Sequence, residues 1–291
     1  MIALAWPISL GAQSAPDSAA NAPTGSVGGL GDINLFPKRV VLDGRVRVAS
    51  IGIYNKTINT GDYDIRVSDR VMNEDGQLVD LAAVTDPALK ARVKTASAFL
   101  RWSPRKVTLR GSESQTVRVM ARITPDLAPG EYRSHFQAIA IPPGGDGGTS
   151  IDQARNRESG TGIGVRILPR FGISIPIIVR VGTTTLTTGL KDLRLAATPD
   201  GQPALRFTIT RDGNRSAFGN IVVTMAGAKQ PLAEIKGIGV YPEITQRHVL
   251  VPIDPAALAA PLRSGTKVTV TYIDDDFAPG KILARQDFTV P

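Results

Sequence analysis

Short runs of alternating apolar and polar residues, separated by turn signals, are the feature that most restricts how this chain can fold. In one run, Ile51 and Ile53 share one side of the pleat, with polar or small residues between them. This period of two is typical of a half-buried β-strand. Turn signals that predict a hairpin between the flanking strands recur at Asp43-Gly44, Asp75-Gly76 and Arg110-Gly111-Ser112. Because helical periodicity is nearly absent, the pattern predicts an all-β chain built as β-sandwiches.

Three segments depart from this pattern. Residues 86–98 and 254–260 predict short helices, and residues 144–164 form a long polar, glycine-rich loop. Loops of this length and composition are usually functional or disordered. The loop is therefore a candidate functional segment of an otherwise regular chain.

The run that follows this loop carries an apolar stripe longer than an ordinary strand. Its members share one parity: Val165, Ile167, Phe171, Ile173, Ile175, Ile177 and Val179. From Ile173 onward we expect an ordinary buried core face. The earlier part is predicted to be an exposed edge, since Pro169 and Pro176 suit an edge or a bulge. An apolar edge needs a partner to cover it, so the pattern indicates β-strand addition.

Composition argues against an enzyme. The 291 residues include no cysteine and two histidines, which excludes thiolate sites and disfavours histidine-rich metal sites and hydrolase triads. We expect His135 to be hydrogen-bonded or exposed within a strand. The triplet Asp274-Asp275-Asp276 lacks calcium-loop spacing and predicts an acidic turn. No catalytic residue, metal, cofactor or small-molecule substrate is therefore expected.

The net charge of +8 is compatible with nucleic-acid binding. The basic residues are scattered among acidic ones without aromatic side chains between them, so nucleic acid is not an expected partner.

The chain begins with an apolar run that no basic residue precedes. Residues 1–14 are therefore interpreted as a partial signal peptide or as an apolar tail. Residues 15–32 read as a linker, and residues 33–182 and 183–291 as two β domains.

Four segments, in order, resemble the N-terminal domain of PapD-like periplasmic chaperones of the chaperone–usher pathway. They are INLFPKRVVLDG, FLRWSPRKVTLRGSESQTVRV, LAPGEYRSHFQAIAIPP and SIPIIVR, which together span residues 33–180. The second segment supplies the family's run of Pro, Leu, Gly, Gln and Arg. The resemblance implies a boomerang of two immunoglobulin-like sandwiches located in the periplasm.

The resemblance also implies a function and a set of site residues. In that family, the last strand of the first domain is donated to a pilin subunit that lacks its own final strand. The donated side chains here would be Val165, Ile167, Phe171 and Ile173.

The family anchors the pilin's C-terminal carboxylate with an Arg and a Lys. Arg39 matches the Arg, Pro176 stands where the Lys is expected, and Arg170 is the nearest basic candidate for the second anchor.

The implied partners are pilin subunits and an outer-membrane usher, and a self-capping dimer is left open. The predicted function is therefore that of a periplasmic chaperone for pilin subunits. A secreted two-domain immunoglobulin-like module for binding or adhesion, which never handles pilins, is the alternative.

Overall fold

Strands account for most of the chain in the computed structural model, which describes residues 27–28, 33–142, 170–254 and 263–291. The strands of the first half are β1 (Val27–Gly28), β2 (Ile33–Phe36), β3 (Val40–Leu42), β4 (Val48–Asn55), β5 (Gly61–Ser68), β6 (Arg70–Met72), β7 (Leu78–Asp80), β8 (Leu100–Ser103), β9 (Lys106–Leu109), β10 (Ser114–Ala121), β11 (Gly130–Ile141) and β12 (Gly172–Val181). Sheet 1 has the order β1-β2-β4-β10-β8, and sheet 2 has the order β3-β12-β11-β5-β9. The two sheets share one apolar core and form the first sandwich.

The alternating pattern correctly predicts which face of a strand is buried. Ile51 and Ile53 are fully buried in the core between the sheets, whereas Val46 and Val48 remain about half exposed. The turn at Asp75-Gly76 closes the predicted hairpin between β6 and β7, with Gly76 at a φ of 79°. A positive φ is adopted by glycine without steric cost.

Two other predicted hairpins are wrong in their pairing. The turn at Asp43 forms, because its carboxylate accepts the amides of Arg45 and Val46 at 2.7 Å. The strands on either side of it, β3 and β4, nevertheless lie in different sheets, as do β9 and β10 on either side of Gly111. The chain therefore crosses between the two layers at these turns, which a local turn motif does not encode.

The helix predicted over 86–98 is present but shorter. Helix α1 spans Pro87–Arg92, and the Asp86 carboxylate caps it by accepting the amide of Ala88. A 3₁₀ turn, Ser97–Phe99, follows it. Only Asp254 of the second predicted helix belongs to the described residues, and the loop 144–164 and residues 1–14 lie outside them.

The second half of the chain forms a second sandwich with a core of its own. Its strands are β13 (Leu186–Ala197), β14 (Pro203–Gly213), β15 (Ala217–Met225), β16 (Ala233–Val240), β17 (Gln246–Pro252), β18 (Lys267–Asp274) and β19 (Ile282–Thr289). They pair as β13-β14-β17 and β16-β15-β18-β19. The predicted all-β class, with two immunoglobulin-like sandwiches, is confirmed.

The outer face of sheet 2 packs against the second sandwich, and we call this contact the junction. Along β3 and β12, residues of one parity enter the first core, as Val40 and Ile177 do. Residues of the other parity point outward, and Val41 and Ile178 there pack into the core of the second sandwich. Strand parity therefore also determines which polar side chains of sheet 2 reach the junction.

Candidate functional site at the junction

Arg39 reaches the junction because it precedes Val40 by one residue and so lies on the outer face of sheet 2. Its Nη2 donates to Asp276 Oδ2 at 3.2 Å, across the two sandwiches. Its guanidinium lies 4.0 Å above the ring centroid of Phe218, which also belongs to the second sandwich. Its Nε and Nη1 are buried and have no hydrogen-bond partner. Arg39 therefore uses one polar contact and retains spare donors.

Arg180 is a second basic residue of the junction, and it is not among the site residues predicted from the sequence. It lies opposite Glu131 in the ladder between β11 and β12, and its Nε donates to Glu131 Oε2 at 3.2 Å. Its Nη2 donates to Asp276. Burial alone would lower the pKa of Arg180, but Asp276 and Glu131 together outweigh burial and raise it. Arg180 is therefore held as a cation between two carboxylates.

The predicted acidic turn at 274–276 supplies the carboxylate that joins the two arginines. Asp274 Oδ1 accepts the backbone amides of Asp276 and Phe277 at 2.8 and 3.1 Å. This local bonding fixes the turn and directs Asp276 toward Arg39 and Arg180. A turn was correctly predicted, but its role as a contact between the sandwiches was not.

A second ionic contact crosses the junction about Glu243, whose Oε1 accepts from Arg133 Nη2 and from the backbone amide of Met72 at 2.9 Å. The Arg133 guanidinium also lies 3.6 Å from the ring centroid of Tyr241. The side chains of Arg133 and Glu243 are each only 4% exposed. This pair therefore belongs to the packed interior of the junction.

His135 does not have the surroundings predicted for it. His135 is 1% exposed, and neither ring nitrogen has a hydrogen-bond partner. Burial, together with the positive charges of Arg133 and Arg70, holds the pKa of His135 well below its usual value of 6.5. The expectation of a hydrogen-bonded or exposed histidine is therefore wrong, because strand parity turns this residue into the junction.

Arg170 lies apart from Arg39. It lines a shallow pocket of about 240 Å³ with Arg70, Gln137, Ser174 and their neighbours. Arg39 is level with Pro176 instead, because Val40 pairs with Ile177. Six residues of extended chain between Arg170 and Pro176 correspond to about 20 Å. The structure does not bring the two predicted anchors together, and a carboxylate-binding role for Arg170 stays a prediction.

The predicted donor residues divide into three groups. Val165 and Ile167 lie outside the described residues. Phe171 is 53% exposed just before β12 begins. Ile173 is 8% exposed and belongs to the first core, so its inclusion among the exposed donor side chains is corrected. Its parity turns it inward as soon as β12 pairs with β11.

Over the first half of β12, one edge is not paired with any described strand. β3 pairs with β12 only through Ile177, Ile178 and Val179, so no described strand covers Gly172–Pro176 on that side. Pro176 stands at the end of this uncovered stretch, in agreement with the predicted edge position.

Among the described residues, no group of three or more acidic, histidine or cysteine side chains is placed to hold a metal ion. No described helix has the length and apolarity needed to cross a membrane.

Comparison with known proteins gives similarity to solved structures alone. No family model matches the chain, and no curated protein matches it. The YadV chaperone has a TM-score of 0.42 and 13% identity, and the match covers 89% of this chain and 100% of that one. The E. coli chaperone DraB also gives 0.42 and 13%, with 89% and 96% covered. A complex of the Salmonella enterica SafA pilin with the SafB chaperone gives 0.41 and 13%, with 91% and 99% covered.

The chain is thus similar to solved structures of fimbrial chaperones.

Proposed function

We propose that this protein is a periplasmic chaperone that binds pilin subunits by donor-strand complementation. In this proposal, the segment before β12 is the donor strand, and Arg39 holds the pilin's C-terminal carboxylate. The exposed side chain of Phe171 and the preceding Val165 and Ile167 would enter pockets of the client. A client strand can add to a free sheet edge through backbone hydrogen bonds, while alternate side chains give specificity.

The observation that carries the proposal is the environment of Arg39. Its guanidinium is largely buried and makes one 3.2 Å hydrogen bond, to Asp276, while Nε and Nη1 are unused. A desolvated guanidinium binds a carboxylate strongly and can do so through two parallel hydrogen bonds. Arg39 is level with Pro176, where the stretch of β12 that no described strand covers ends. A strand added along this edge could therefore place its terminal carboxylate near Arg39.

Co-purification with a co-expressed cognate pilin subunit tests the proposal. We expect the wild-type protein to retain a pilin, and Arg39→Ala and Ile167→Asp to lose it. Arg285→Ala is the matched control, because Arg285 is exposed on β19 of the second sandwich. A pilin complex that survives both Arg39→Ala and Ile167→Asp would contradict the mechanism. Failure of the wild-type protein to retain any such pilin would favour the binding or adhesion module.

A further inference from the structure

The pocket beside the start of β12, which we call the β12 pocket, brings two arginines together on the outer face of sheet 2. Its volume is about 240 Å³, and Arg70 of β6 and Arg170 line it with Gln137 and Ser174. Gln137 and Ser174 are paired in the ladder between β11 and β12. Among the described residues, no aspartate or glutamate lines the pocket. Two guanidinium groups, an amide and a hydroxyl therefore meet in one concave site of positive charge.

Two buried polar atoms of the lining residues have no hydrogen-bond partner. They are Arg70 Nε and Ser174 Oγ. Most buried polar atoms in native proteins are paired, so such exceptions point to an absent water, ion or ligand. An arginine Nε can only donate, whereas a hydroxyl can donate or accept. A carboxylate held by the Arg70 guanidinium supplies acceptor atoms that suit both groups.

The nearby carboxylates of the first sandwich are engaged in other contacts. Asp69, next to Arg70 in the sequence, accepts from two serine hydroxyls. Asp80, opposite Arg70 in the ladder between β6 and β7, accepts the backbone amide two residues further on at 2.9 Å. Asp64 of β5 accepts from Arg66 Nε at 2.6 Å. These contacts leave the two arginines of the β12 pocket available to a carboxylate from another molecule.

One buried carboxylate oxygen without a hydrogen-bond partner does lie on this face, but far from the β12 pocket. It is Glu131 Oε1. Glu131 is paired with Arg180 and accepts from it at 3.2 Å. It lies six residues along β11 from Gln137, which corresponds to about 20 Å in an extended strand. Glu131 therefore does not neutralise the β12 pocket.

The β12 pocket adjoins the stretch of β12 that no described strand covers. Gly172 and Ser174 belong to this stretch and also line the pocket. Both residues are small, so little side-chain volume separates the strand edge from the two arginines. A Cβ atom at Gly172 would lie only 3.1 Å from Ile139 Cγ1 and would narrow the pocket. A side chain from a strand added at this edge can therefore extend over β12 into the pocket.

The position of β3 sets the direction of such a strand. Because β3 already pairs with β12 beyond Pro176, a strand that ends near Arg39 approaches along the uncovered stretch and runs parallel to β12. Arg39 is level with Pro176, so the residues two and four before the end of the added strand are level with Ser174 and Gly172. Side chains alternate along a strand, and these two positions therefore share the outer face with the β12 pocket.

We propose that Arg70 and Arg170 bind the carboxylate side chain of an aspartate or glutamate in the client, two or four residues before its C-terminus. This inference rests on the proposed function and adds a contact that is separate from the terminal carboxylate at Arg39. In this arrangement Arg170 binds a side chain of the client rather than its terminal group. Guanidinium groups bind carboxylates through strong, charge-assisted hydrogen bonds. The β12 pocket therefore selects clients that carry an acidic residue at one of these positions.

Binding of a small carboxylate to the free protein tests the pocket without a client. Sodium acetate is compared with sodium chloride at equal ionic strength, and the Nε–Hε signal of Arg70 is followed by NMR. We expect a saturable shift in acetate, and Arg170→Gln should weaken the affinity about tenfold, the usual effect of losing a hydrogen bond to a charged group. Arg118→Gln, exposed on sheet 1, is the control and should leave the affinity unchanged. Absence of a saturable shift would overturn the inference.

Competition between two forms of the cognate pilin tests the selection. The two forms carry Glu or Gln at the residue two before the C-terminus, with different N-terminal tags, and a second pair differs four residues before it. With limiting chaperone, we expect one pair to show about fivefold greater retention of the Glu form. Arg70→Gln should bring this ratio to about one, whereas Arg118→Gln should preserve it.

The outcomes distinguish failure of this inference from failure of the proposed function. If the pilin is retained in an Arg39-dependent manner but neither pair shows a preference, the β12 pocket does not select the client, and the proposed function stands. A preference for Glu that persists in Arg70→Gln also overturns the inference. If the wild-type protein retains no pilin, the proposed function fails, and the role of the β12 pocket in client selection fails with it.

Discussion

Two carboxylates of the second sandwich contact the first, and their surroundings differ. Glu243 accepts from a buried arginine and from a backbone amide, in a region where Met72 also enters the second core. Asp276 is shared by Arg39 and Arg180, and the Arg39 side chain is 12% exposed, against 4% for Arg133. The Glu243 contact is embedded in apolar packing, whereas the Asp276 contact borders a surface pocket that Arg180, Asp276 and Phe277 help to line.

This difference separates a structural contact from a candidate binding contact. Removing one partner of a buried, well-packed ion pair strongly destabilises the protein, because the other charge stays buried without compensation. Arg39 is the more exposed of the two arginines and makes one hydrogen bond, whereas Arg133 makes two, so Arg39 can bind a further carboxylate with less disturbance of the packing. We therefore expect substitutions at Glu243 to affect folding most, and substitutions at Arg39 to affect binding most.

Glu243→Ala should produce the largest loss of stability. It leaves the Arg133 guanidinium and the Met72 amide buried without their acceptor, and we expect the free energy of unfolding to fall by about 3–5 kcal/mol. Urea unfolding followed by circular dichroism measures this change. Glu234→Ala, at an exposed pair with Lys236, is the control and should change stability by about 0.5 kcal/mol or less. Equal effects of the two substitutions would show that the Glu243 contact is not structural.

Asp276→Asn should have a smaller but clear effect. The amide keeps the shape of the side chain but removes the charge that two arginines share, and hydrogen bonds to charged groups contribute about 1.5–3 kcal/mol. We expect a loss of about 2 kcal/mol in thermal or urea unfolding. The exposed neighbour Asp275 provides a matched control, since Asp275→Asn alters the same triplet without touching the junction.

The two arginines on Asp276 should differ from each other. Arg180→Gln removes contacts with two carboxylates and should cost about 2 kcal/mol. Arg39→Gln removes one 3.2 Å bond and a contact with Phe218, and should cost about 1 kcal/mol. Urea unfolding of the two variants under the same conditions measures the difference in their free energies of unfolding. If Arg39→Gln proved the more destabilising, Arg39 would be mainly a structural residue.

The sequence predicts the layers of this fold better than it predicts the junction. The alternation places Ile51 and Ile53 in the core, because strand parity depends on adjacent residues alone. The turn at Asp43 is compatible with a hairpin and also with a crossover between the two sheets. For this reason the sequence does not predict that β4 lies in a different sheet from β3. Arg39 became a candidate through the resemblance of its segment, INLFPKRVVLDG, to the family's opening strand, and its role in binding stays a prediction.

The remaining junction residues could not be paired from the sequence. Arg180 and Asp276 are 96 residues apart, and Arg133 and Glu243 are 110 apart, so their contacts depend on the packing of two sandwiches. Charged residues inside otherwise apolar strands were an available signal, since a buried charge requires a partner. That signal identifies Arg180 as a residue in need of a carboxylate, but it does not identify which carboxylate binds it.

The smallest predicted effect at neutral pH, and the one most dependent on conditions, concerns His135. Its folded-state pKa lies well below the unfolded value of 6.5, because of burial and then of Arg133 and Arg70. Between these two pKa values the unfolded chain binds more protons than the folded one. The contribution of the neutral ring is therefore fully present above about pH 6.5 and is lost as the pH falls through the folded pKa.

We expect the free energy of unfolding to fall by at most about 1.4 kcal/mol for each pH unit below 6.5 on account of this residue. His135→Gln should flatten the pH profile between pH 6.5 and pH 5, whereas His248→Gln, at a partly exposed ring, serves as the control. Urea midpoints measured across this range in chloride give the comparison. A profile equally steep in His135→Gln would mean that groups other than His135 dominate the acid sensitivity, and that the buried ring beside Arg133 does not set the pH dependence of the junction.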